Sequence, residues 1–368
     1  MIDLALKPKS ALIAAVDEQD GESEPALDEL ALLLSNLGVP VVGRVLQKRR
    51  TPDPATFIGK GKAAEIKEFA FGLGANLLVV DDELSPTQRS NLGAVTGLEV
   101  WDRAFTIMMI FEQRANTAEA KLQVELAMLR YEIPSLKGLG HQMSRLGGGI
   151  GTRGPGETEF ERHRRKLERR IKFIEKNLKD VRNRRRQYRY RRSRDGADVV
   201  SLVGYTNSGK STLLRSLSGD NSIKAEDRLF STLDTVTRRV DVPSGDSFLL
   251  SDTVGFIRKL PPELIAAFRA TLEEASGADL LLIVADASSP TPMRNFDVVL
   301  DTLRDIEADE IPRIVVLNKI DRVSEESVFI SAGLESKGED VARVSALSGE
   351  GLPELILRIN ERIKEVLD

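Results

Sequence analysis

The sequence contains no cysteine and only two histidines. Without cysteine, disulfide bonds, thiolate zinc sites and cysteine nucleophiles are excluded. Neither His141 nor His163 stands in a serine or aspartate setting that suggests a catalytic triad. No apolar run approaches the ~20 residues that a membrane-spanning helix needs, and the N-terminus lacks the long apolar core of a signal peptide. We therefore expect a soluble, cytoplasmic protein.

Positive charge is concentrated in one segment, although the whole chain has a net charge of −4. Residues 161–194 contain 17 lysines and arginines against 4 aspartates and glutamates, a net charge of +13. The rest of the chain therefore carries −17. Because the acidic residues are too few to pair these arginines internally, the block indicates contact with a nucleic acid. A solvated helix face rich in charges is the alternative.

The segment Gly204–Ser211, with the sequence Gly-Tyr-Thr-Asn-Ser-Gly-Lys-Ser, has the spacing of a phosphate-binding loop. An apolar strand-like run precedes it and a helix-like run follows, which is the context that this motif requires. Its backbone N–H groups and the helix N-terminus attract a triphosphate. We expect Lys210 to reach the β- and γ-phosphates and the Ser211 hydroxyl to bind Mg²⁺. The predicted nucleotide contacts here are Gly204, Tyr205, Thr206, Asn207, Ser208, Gly209, Lys210, Ser211 and Thr212.

A second motif, Asp-Thr-Val-Gly, follows the apolar run that ends before Asp252. Asp252 is expected to hold Mg²⁺ through a water molecule, and the N–H of Gly255 to bind the γ-phosphate. Phe256 comes next, where Ras-like GTPases have a glutamine that orients the attacking water. A phenyl ring cannot form those hydrogen bonds, so we expect slow intrinsic hydrolysis, with the missing function supplied by a partner or by another part of the chain. Asn207 either helps to bind K⁺, as in a subset of GTPases with a similar loop, or hydrogen-bonds within the loop.

Two further motifs predict a guanine site. In Asn318–Asp321, the Asp321 carboxylate can accept hydrogen bonds from the N1–H and N2–H₂ edge of guanine, a donor pair that adenine lacks. Ser345–Leu347 resembles the Ser-Ala-Lys element whose backbone contacts guanine O6, with leucine in place of lysine. Together the motifs predict a GTPase. The predicted contacts in the last three motifs are Asp252, Thr253, Val254, Gly255, Asn318, Lys319, Ile320, Asp321, Ser345, Ala346 and Leu347.

Alternating strand-like and helix-like segments predict an α/β protein. Residues 1–112 are expected to form a small N-terminal α/β domain without a phosphate loop. Residues 113–195 are expected to form a basic antiparallel helical hairpin with a Gly-rich loop, in which Pro134 ends the first helix and residues 184–194 form a basic linker. Residues 196–368 are expected to form the GTPase domain, with a doubly wound, mostly parallel sheet.

The Gly-rich loop Gly147–Phe160, the segment Phe230–Asp234 and the four nucleotide motifs resemble the HflX family of ribosome-associated GTPases. The resemblance covers nearly the whole chain. It implies binding to the large ribosomal subunit near its ribosomal RNA, and a role in splitting or rescuing ribosomes under stress. Thr232, Thr235 and Thr237 are candidates for a second magnesium ligand, and the resemblance favours Thr232. The predicted catalytic residues are Lys210, Thr232 and Gly255. The nucleotide contacts that the resemblance implies in this segment are Phe230, Ser231, Thr232, Leu233 and Asp234.

Two other functions stay open at this point. A GTPase could act on another RNA or on a protein partner, since the basic segment does not identify its target. An RNA-remodelling NTPase could carry a second nucleotide site in the N-terminal portion, although no second phosphate loop is present there. We expect no DNA partner.

Overall fold

The chain forms two compact units in a computed structural model. The first unit comprises Met1–Gln113, Leu122–Lys176 and Pro261–Leu264, and the second comprises Arg114–Lys121, Asn177–Leu260 and Ile265–Asp368. The predicted division into three domains at residues 112 and 195 stays a prediction. The structure describes residues 9–17, 23–146, 155–194, 198–220, 222, 229–230, 236–272, 275–323 and 325–367.

The first unit is built on a four-stranded parallel sheet. Its elements, in chain order, are β1 (Ala11–Asp17), α1 (Ser23–Asn36), β2 (Val41–Lys48), α2 (Lys60–Leu73), β3 (Leu77–Val80), α3 (Pro86–Thr96), β4 (Glu99–Asp102) and α4 (Arg103–Arg114). The strand order is β2-β1-β3-β4. The central strands β1 and β3 are buried over nearly their whole length, which explains their continuous apolar runs.

Two long helices follow, α5 (Ala118–Leu146) and α6 (Pro155–Arg194). The contacts Glu125–Arg170 and Glu132–His163 occur in opposite order along the two helices, so the helices run antiparallel, as predicted. The seam between them contains fully buried side chains such as Leu126 and Ile174. The heptad spacing of the apolar residues therefore serves a helical hairpin.

Both helices are longer than the sequence predicts. Pro134 lies inside α5 and does not end it. Proline has no N–H, so Pro134 leaves the Arg130 carbonyl without its helical hydrogen bond. Since Pro134 is exposed, this carbonyl can bond to water instead. The predicted linker at residues 184–194 is the last part of α6. Arginine has a high helix propensity, so the helix continues without apolar periodicity.

The elements after α6 build a six-stranded sheet. They are, in chain order, β5 (Val199–Gly204), α7 (Lys210–Ser218), β6 (Val236–Asp241), β7 (Ser247–Asp252), α8 (Pro262–Leu272), β8 (Leu280–Asp286), α9 (Pro292–Asp305), β9 (Arg313–Asn318), a 3₁₀ turn (Ile320–Arg322), α10 (Glu326–Glu335), β10 (Val341–Arg343) and α11 (Leu352–Leu367). The strand order is β10-β9-β8-β5-β7-β6, and every pair is parallel except β7 with β6. The predicted doubly wound, mostly parallel sheet is confirmed.

Strand β6 is missing from the sequence prediction. It is the antiparallel edge of the sheet, and Val240 is its buried residue while Arg239 is exposed. An edge strand with one solvated face needs few apolar residues, so its signal is weak. Within the described ranges, no helix combines the length and the apolar composition needed to cross a membrane.

A buried carboxylate connects the first sheet to helix α5. At the end of β4, Asp102 accepts hydrogen bonds from the N–H groups of Leu84 (3.2 Å) and Phe105 (2.8 Å) and from the Tyr131 hydroxyl (2.7 Å). Burial raises the pKa of Asp102, and these donors oppose the rise. Arg89 in turn donates to the Tyr131 oxygen at 2.6 Å. The hydrogen bond from the Tyr131 hydroxyl to the Asp102 carboxylate therefore attaches the hairpin to the first sheet.

Tyr131→Phe is expected to lower the free energy of unfolding by about 1–3 kcal/mol at neutral pH, because the buried carboxylate loses a donor. The pKa of Asp102, already raised, rises further in the variant. Acidification through that pKa protonates the carboxyl, which then needs fewer donors, so the difference from wild type should be full at neutral pH and shrink as the pH falls. Denaturant unfolding at a series of pH values, from neutral downward through that pKa, measures it. A difference that stays constant over this range would contradict the assignment.

Candidate nucleotide-binding site

A cleft lies at the carboxyl ends of the strands of the second sheet, where β5 is flanked by β7 and β8. Doubly wound sheets bind ligands at this edge, where the strand order reverses. The loops after β5, β7, β9 and β10 all reach the cleft. The lining residues are Thr206, Asn207, Gly209, Lys210, Ser211, Thr212, Arg215, Phe230, Thr253, Gly255, Asn318, Lys319, Asp321, Arg322, Ala346 and Leu347.

The phosphate half of the cleft is organised around the buried ammonium group of Lys210. This group donates to the carbonyl oxygens of Gly204 at 3.0 Å and Tyr205 at 2.9 Å. Burial lowers the pKa of Lys210 to about 8; Asp252 opposes the shift and Lys319 adds to it. The N-terminus of α7 begins at the same lysine. A poorly solvated cation and a helix N-terminus thus meet at one point, which is an arrangement that attracts phosphate.

Beside the lysine, the residues predicted to bind Mg²⁺ contact each other directly. The Ser211 hydroxyl donates to Oδ2 of Asp252 at 2.7 Å, and both side chains are buried. A hydroxyl and a carboxylate oxygen are donors that Mg²⁺ accepts, and the remaining positions are usually filled by water and substrate phosphates. No cluster of three or more His, Cys, Asp or Glu side chains that could hold a metal occurs in the part of the chain that the structure describes.

The side-chain amide of Asn318 joins the phosphate half of the cleft to its other half. Its Nδ2 donates to the Ser208 carbonyl at 2.9 Å, and its Oδ1 accepts from the Ala346 N–H at 3.0 Å. Gly209 packs against this amide with φ +96°, and a β-carbon there would collide with Nδ2 of Asn318. Only glycine fits this position, on both steric and backbone grounds.

The carboxylate of Asp321 lies where the cleft is lined by the loops after β9 and β10. The Ser345 hydroxyl donates to Oδ1 of Asp321 at 2.6 Å, which orients the carboxylate. Lys319 extends its ammonium group to the Asn207 carbonyl oxygen and to Asp286, at 2.8 Å in each case. The arrangement leaves an oriented acceptor facing the cleft, as guanine recognition requires.

The segment after Gly255 pairs with the phosphate loop. Phe256 donates its N–H to the Gly204 carbonyl at 3.0 Å, and its carbonyl accepts from the Thr206 N–H at 2.7 Å. The Tyr205 hydroxyl accepts from the N–H of Arg258 at 3.0 Å. The Phe256 ring is 1% exposed. The residue that replaces the water-orienting glutamine is therefore folded away beside the phosphate loop, where its side chain offers no polar atom.

The cleft brings together residues of all four nucleotide motifs, and Phe230 joins them from the segment that the resemblance implied. Ser231, Thr232, Leu233 and Asp234 lie outside the described residues, so the metal-binding and catalytic role of Thr232 stays a prediction. The roles of the other residues also remain predictions. Predicted contacts that support the cleft without lining it are Gly204, Tyr205, Ser208, Asp252, Val254, Ile320 and Ser345.

Three charged residues at the cleft are absent from the sequence prediction. Arg215 and Arg322 line it, and Asp286 holds Lys319. Asp286 ends the buried strand β8, and a carboxylate at the carboxyl end of such a strand is a signal that could have revealed it. The two arginines belong to no motif.

The carboxyl edge of the first sheet carries charged residues that are paired with each other. At its reversal point, the end of β3, Asp81 is paired at 2.6 Å with buried Arg103, which also binds Glu29. A cation that already has two carboxylates is poorly suited to a phosphate. Residues 18–22, which follow β1, are not among the residues that the structure describes. A second nucleotide site therefore stays a prediction without structural support.

Comparisons with known protein families match most of the chain. Residues 24–112 match the family model described as GTP-binding GTPase N-terminal, and residues 114–192 match GTP-binding GTPase Middle Region. Residues 199–319 match the model described as 50S ribosome-binding GTPase. The crystal structure of the complex of SsGBP and GDP resembles this chain with a TM-score of 0.51 at 25% identity, over 97% of this chain and 99% of that chain.

Relatives of known name extend the likeness. The GTPase HflX of Caldanaerobacter subterraneus subsp. tengcongensis is 48% identical over 321 residues, which are 87% of this chain and 74% of that protein. The GTPase HflX of Lacrimispora saccharolytica is 44% identical over 97% of this chain and 83% of that protein. The GTPase HflX of Escherichia coli strain K12 is 42% identical over 96% of this chain and 83% of that protein.

The doubly wound sheet and the cleft at its carboxyl edge define a P-loop GTPase. The chain belongs to the HflX family, as its resemblance had indicated. It binds GTP and GDP and hydrolyses GTP.

Asp321→Asn is expected to weaken GTP binding by about 2–4 kcal/mol, because the amide presents a donor where guanine N1–H also donates. Xanthosine triphosphate, which carries a carbonyl in place of the guanine 2-amino group, should bind the variant better than GTP. Titration with fluorescent analogues of both nucleotides measures the change. Asp301→Asn, on the exposed face of α9, is the control and should alter neither affinity. GTP affinity within about twofold of wild type would contradict the role of Asp321.

Proposed function

We propose that GTP binding controls the association of this GTPase with the large ribosomal subunit, and that the complex splits or rescues ribosomes under stress. The proposal is supported by the match of residues 199–319 to a family described as 50S ribosome-binding GTPase. The observation that carries it is a row of exposed basic side chains along α6. This row is suited to the backbone phosphates of ribosomal RNA.

Four basic residues and one phenylalanine of α6 form a stripe on the side of the helix away from the hairpin seam. They recur at steps of three and four residues, so they share one face, and all are exposed. The apolar seam occupies the opposite face, where Ile174 is fully buried. The basic stripe consists of Arg162, Lys166, Arg169, Phe173 and Lys176.

The cations of the basic stripe form no ion pair within the described part of the hairpin. Arg162, Lys166 and Arg169 form no ion pair with any residue that the structure describes. Arg170, one position off the stripe, is held instead by Glu125 through two hydrogen bonds of 2.6 and 2.7 Å. A polyphosphate chain can therefore bind the stripe without breaking a contact between the helices.

The aromatic residue in the stripe favours RNA with unpaired bases. Phe173 is 54% exposed in the middle of the stripe, and the Arg170 guanidinium lies 5.4 Å from its ring centroid. A ring flanked by cations can stack on a base while the cations contact the neighbouring phosphates. The loops and bulges of ribosomal RNA present such bases.

The proposal includes Mg²⁺ at Ser211 and Asp252, with Thr232 as a further ligand. The direct contact between the first two side chains supports this choice. When bound, the ion would neutralise charge on the β- and γ-phosphates. The chain's own contribution is to hold the hydroxyl and the carboxylate at the phosphate end of the cleft.

Replacing Arg162, Lys166 and Arg169 by glutamate is expected to weaken binding to large subunits and to reduce its dependence on salt. Each lost phosphate contact should lower the slope of log affinity against log salt by about 0.7 to 0.9. Co-sedimentation over a salt series measures both effects. The charge-matched control replaces Arg239, Arg304 and Lys337, which are exposed in the second unit. The proposal fails if the stripe variant and the control behave alike.

Co-sedimentation also separates the proposed partner from the alternatives. With a non-hydrolysable GTP analogue, the wild type should bind large subunits at least about tenfold more tightly than with GDP or without nucleotide. No binding in any state, with retained GTP hydrolysis, would point to another RNA or to a protein partner.

We further propose that K⁺ bound near Asn207 assists hydrolysis in place of the missing glutamine. Asn207 lines the cleft and its side chain is exposed, while its carbonyl oxygen is bound by Lys319. Turnover in KCl should exceed turnover in NaCl of equal ionic strength, with and without large subunits. Asn207→Ala should remove the difference. A wild-type rate that does not depend on the cation would rule out this role.

A further inference from the structure

Thr206 packs against Gly255, which together with Lys210 is expected to recognise the terminal phosphate of GTP. A β-carbon built on Gly255 would lie 2.9 Å from the Thr206 α-carbon, 3.2 Å from its β-carbon and 3.1 Å from Nζ of Lys210. Thr206, Gly255 and Lys210 all line the cleft. The threonine side chain thus lies beside the two groups that are expected to hold the γ-phosphate.

The hydroxyl of Thr206 is buried and lacks a hydrogen-bond partner among the described residues. The side chain is 6% exposed, and Oγ1 makes no hydrogen bond with the part of the chain that the structure describes. Buried hydroxyls nearly always have a partner, and those without one are concentrated where a ligand supplies it. Thr253, by comparison, is also buried (0% exposed), and its hydroxyl donates to the Leu202 carbonyl at 2.7 Å. Burial alone therefore does not explain the unpaired state of Thr206.

The backbone N–H of Thr206 has a hydrogen-bond partner, whereas its hydroxyl has none among the described residues. Its N–H is held by the Phe256 carbonyl at 2.7 Å, which sets the position of the residue against the segment after Gly255. Phe256 itself offers no polar side-chain atom and is 1% exposed. Of these two paired residues, Thr206 therefore has a side-chain hydrogen-bond donor and Phe256 does not.

We propose that the Thr206 hydroxyl donates a hydrogen bond to a γ-phosphate oxygen of GTP, and so acts as a positioning residue that distinguishes GTP from GDP. A hydroxyl donates to a charged phosphate oxygen with more than ordinary hydrogen-bond strength. GDP has no atom in this position, so its affinity does not depend on the hydroxyl. The proposal rests on Gly204–Ser211 being the phosphate loop, but not on any ribosomal role.

The test compares Thr206→Val, which keeps the shape and removes the donor, with Thr206→Ser, which keeps the donor. Affinities for a non-hydrolysable GTP analogue and for GDP are measured by calorimetry on the full chain without ribosomes. Thr206→Val should weaken the GTP analogue by about tenfold or more and leave GDP within about twofold. Thr206→Ser should keep the wild-type ratio of the two affinities.

Three controls keep the outcome clear. Thr237→Val makes the same chemical change on β6, outside the cleft, and should leave the ratio of affinities unchanged. Lys210→Ala should abolish the affinity for both nucleotides if the phosphate loop is assigned correctly. If this variant still binds GDP, the assignment of the loop itself is wrong. Thr206→Ala removes the donor without adding volume, and replaces the valine variant if that one does not fold. An unchanged ratio, an equal loss for both nucleotides, or a serine variant as weak as the valine variant would overturn the proposal.

Discussion

The nucleotide cleft depends on one buried amide, the side chain of Asn318. It bonds the Ser208 carbonyl with its nitrogen and the Ala346 N–H with its oxygen, so it ties the phosphate loop to the loop after β10. Only asparagine and glutamine end in a primary amide, which has a donor and an acceptor side by side, and glutamine is longer by one methylene group. The amide therefore sets the spacing between the site for phosphates and the site for guanine. A nucleotide can bridge the two only because this spacing is fixed.

The protein binds phosphate in two different electrostatic settings under the proposals made above. Lys210 is a single buried cation, and poor solvation strengthens its interaction with an anion and makes it insensitive to salt. The basic stripe on α6 consists of exposed cations, whose individual contributions are small, additive and strongly dependent on salt. The first setting suits a small ligand that must be selected, and the second suits a long polyanion that must be released again.

The sequence predicts this fold and cleft well wherever the signal is local. Loop spacing and strand periodicity are local, so the four motifs and both sheets were visible, while edge strand β6 was not. The prediction that α5 ends at Pro134 was wrong. A helix can continue through a proline if the Arg130 carbonyl, which loses its N–H partner, is open to solvent. Only the folded hairpin shows that Arg170 is paired with Glu125 and that Arg169 is not. The unpaired hydroxyl of Thr206 likewise follows from contacts between distant segments.

The burial of Phe256 limits how this chain can evolve. Its ring is 1% exposed and both of its backbone groups are bonded to the phosphate loop. A glutamine there would bury an amide where a hydrocarbon ring now packs, at the cost of an unsatisfied polar group or of the pairing itself. The genetic code adds a second barrier, since phenylalanine and glutamine codons differ at every position. Both the packing and the codons therefore oppose the replacement of Phe256 by glutamine in this chain.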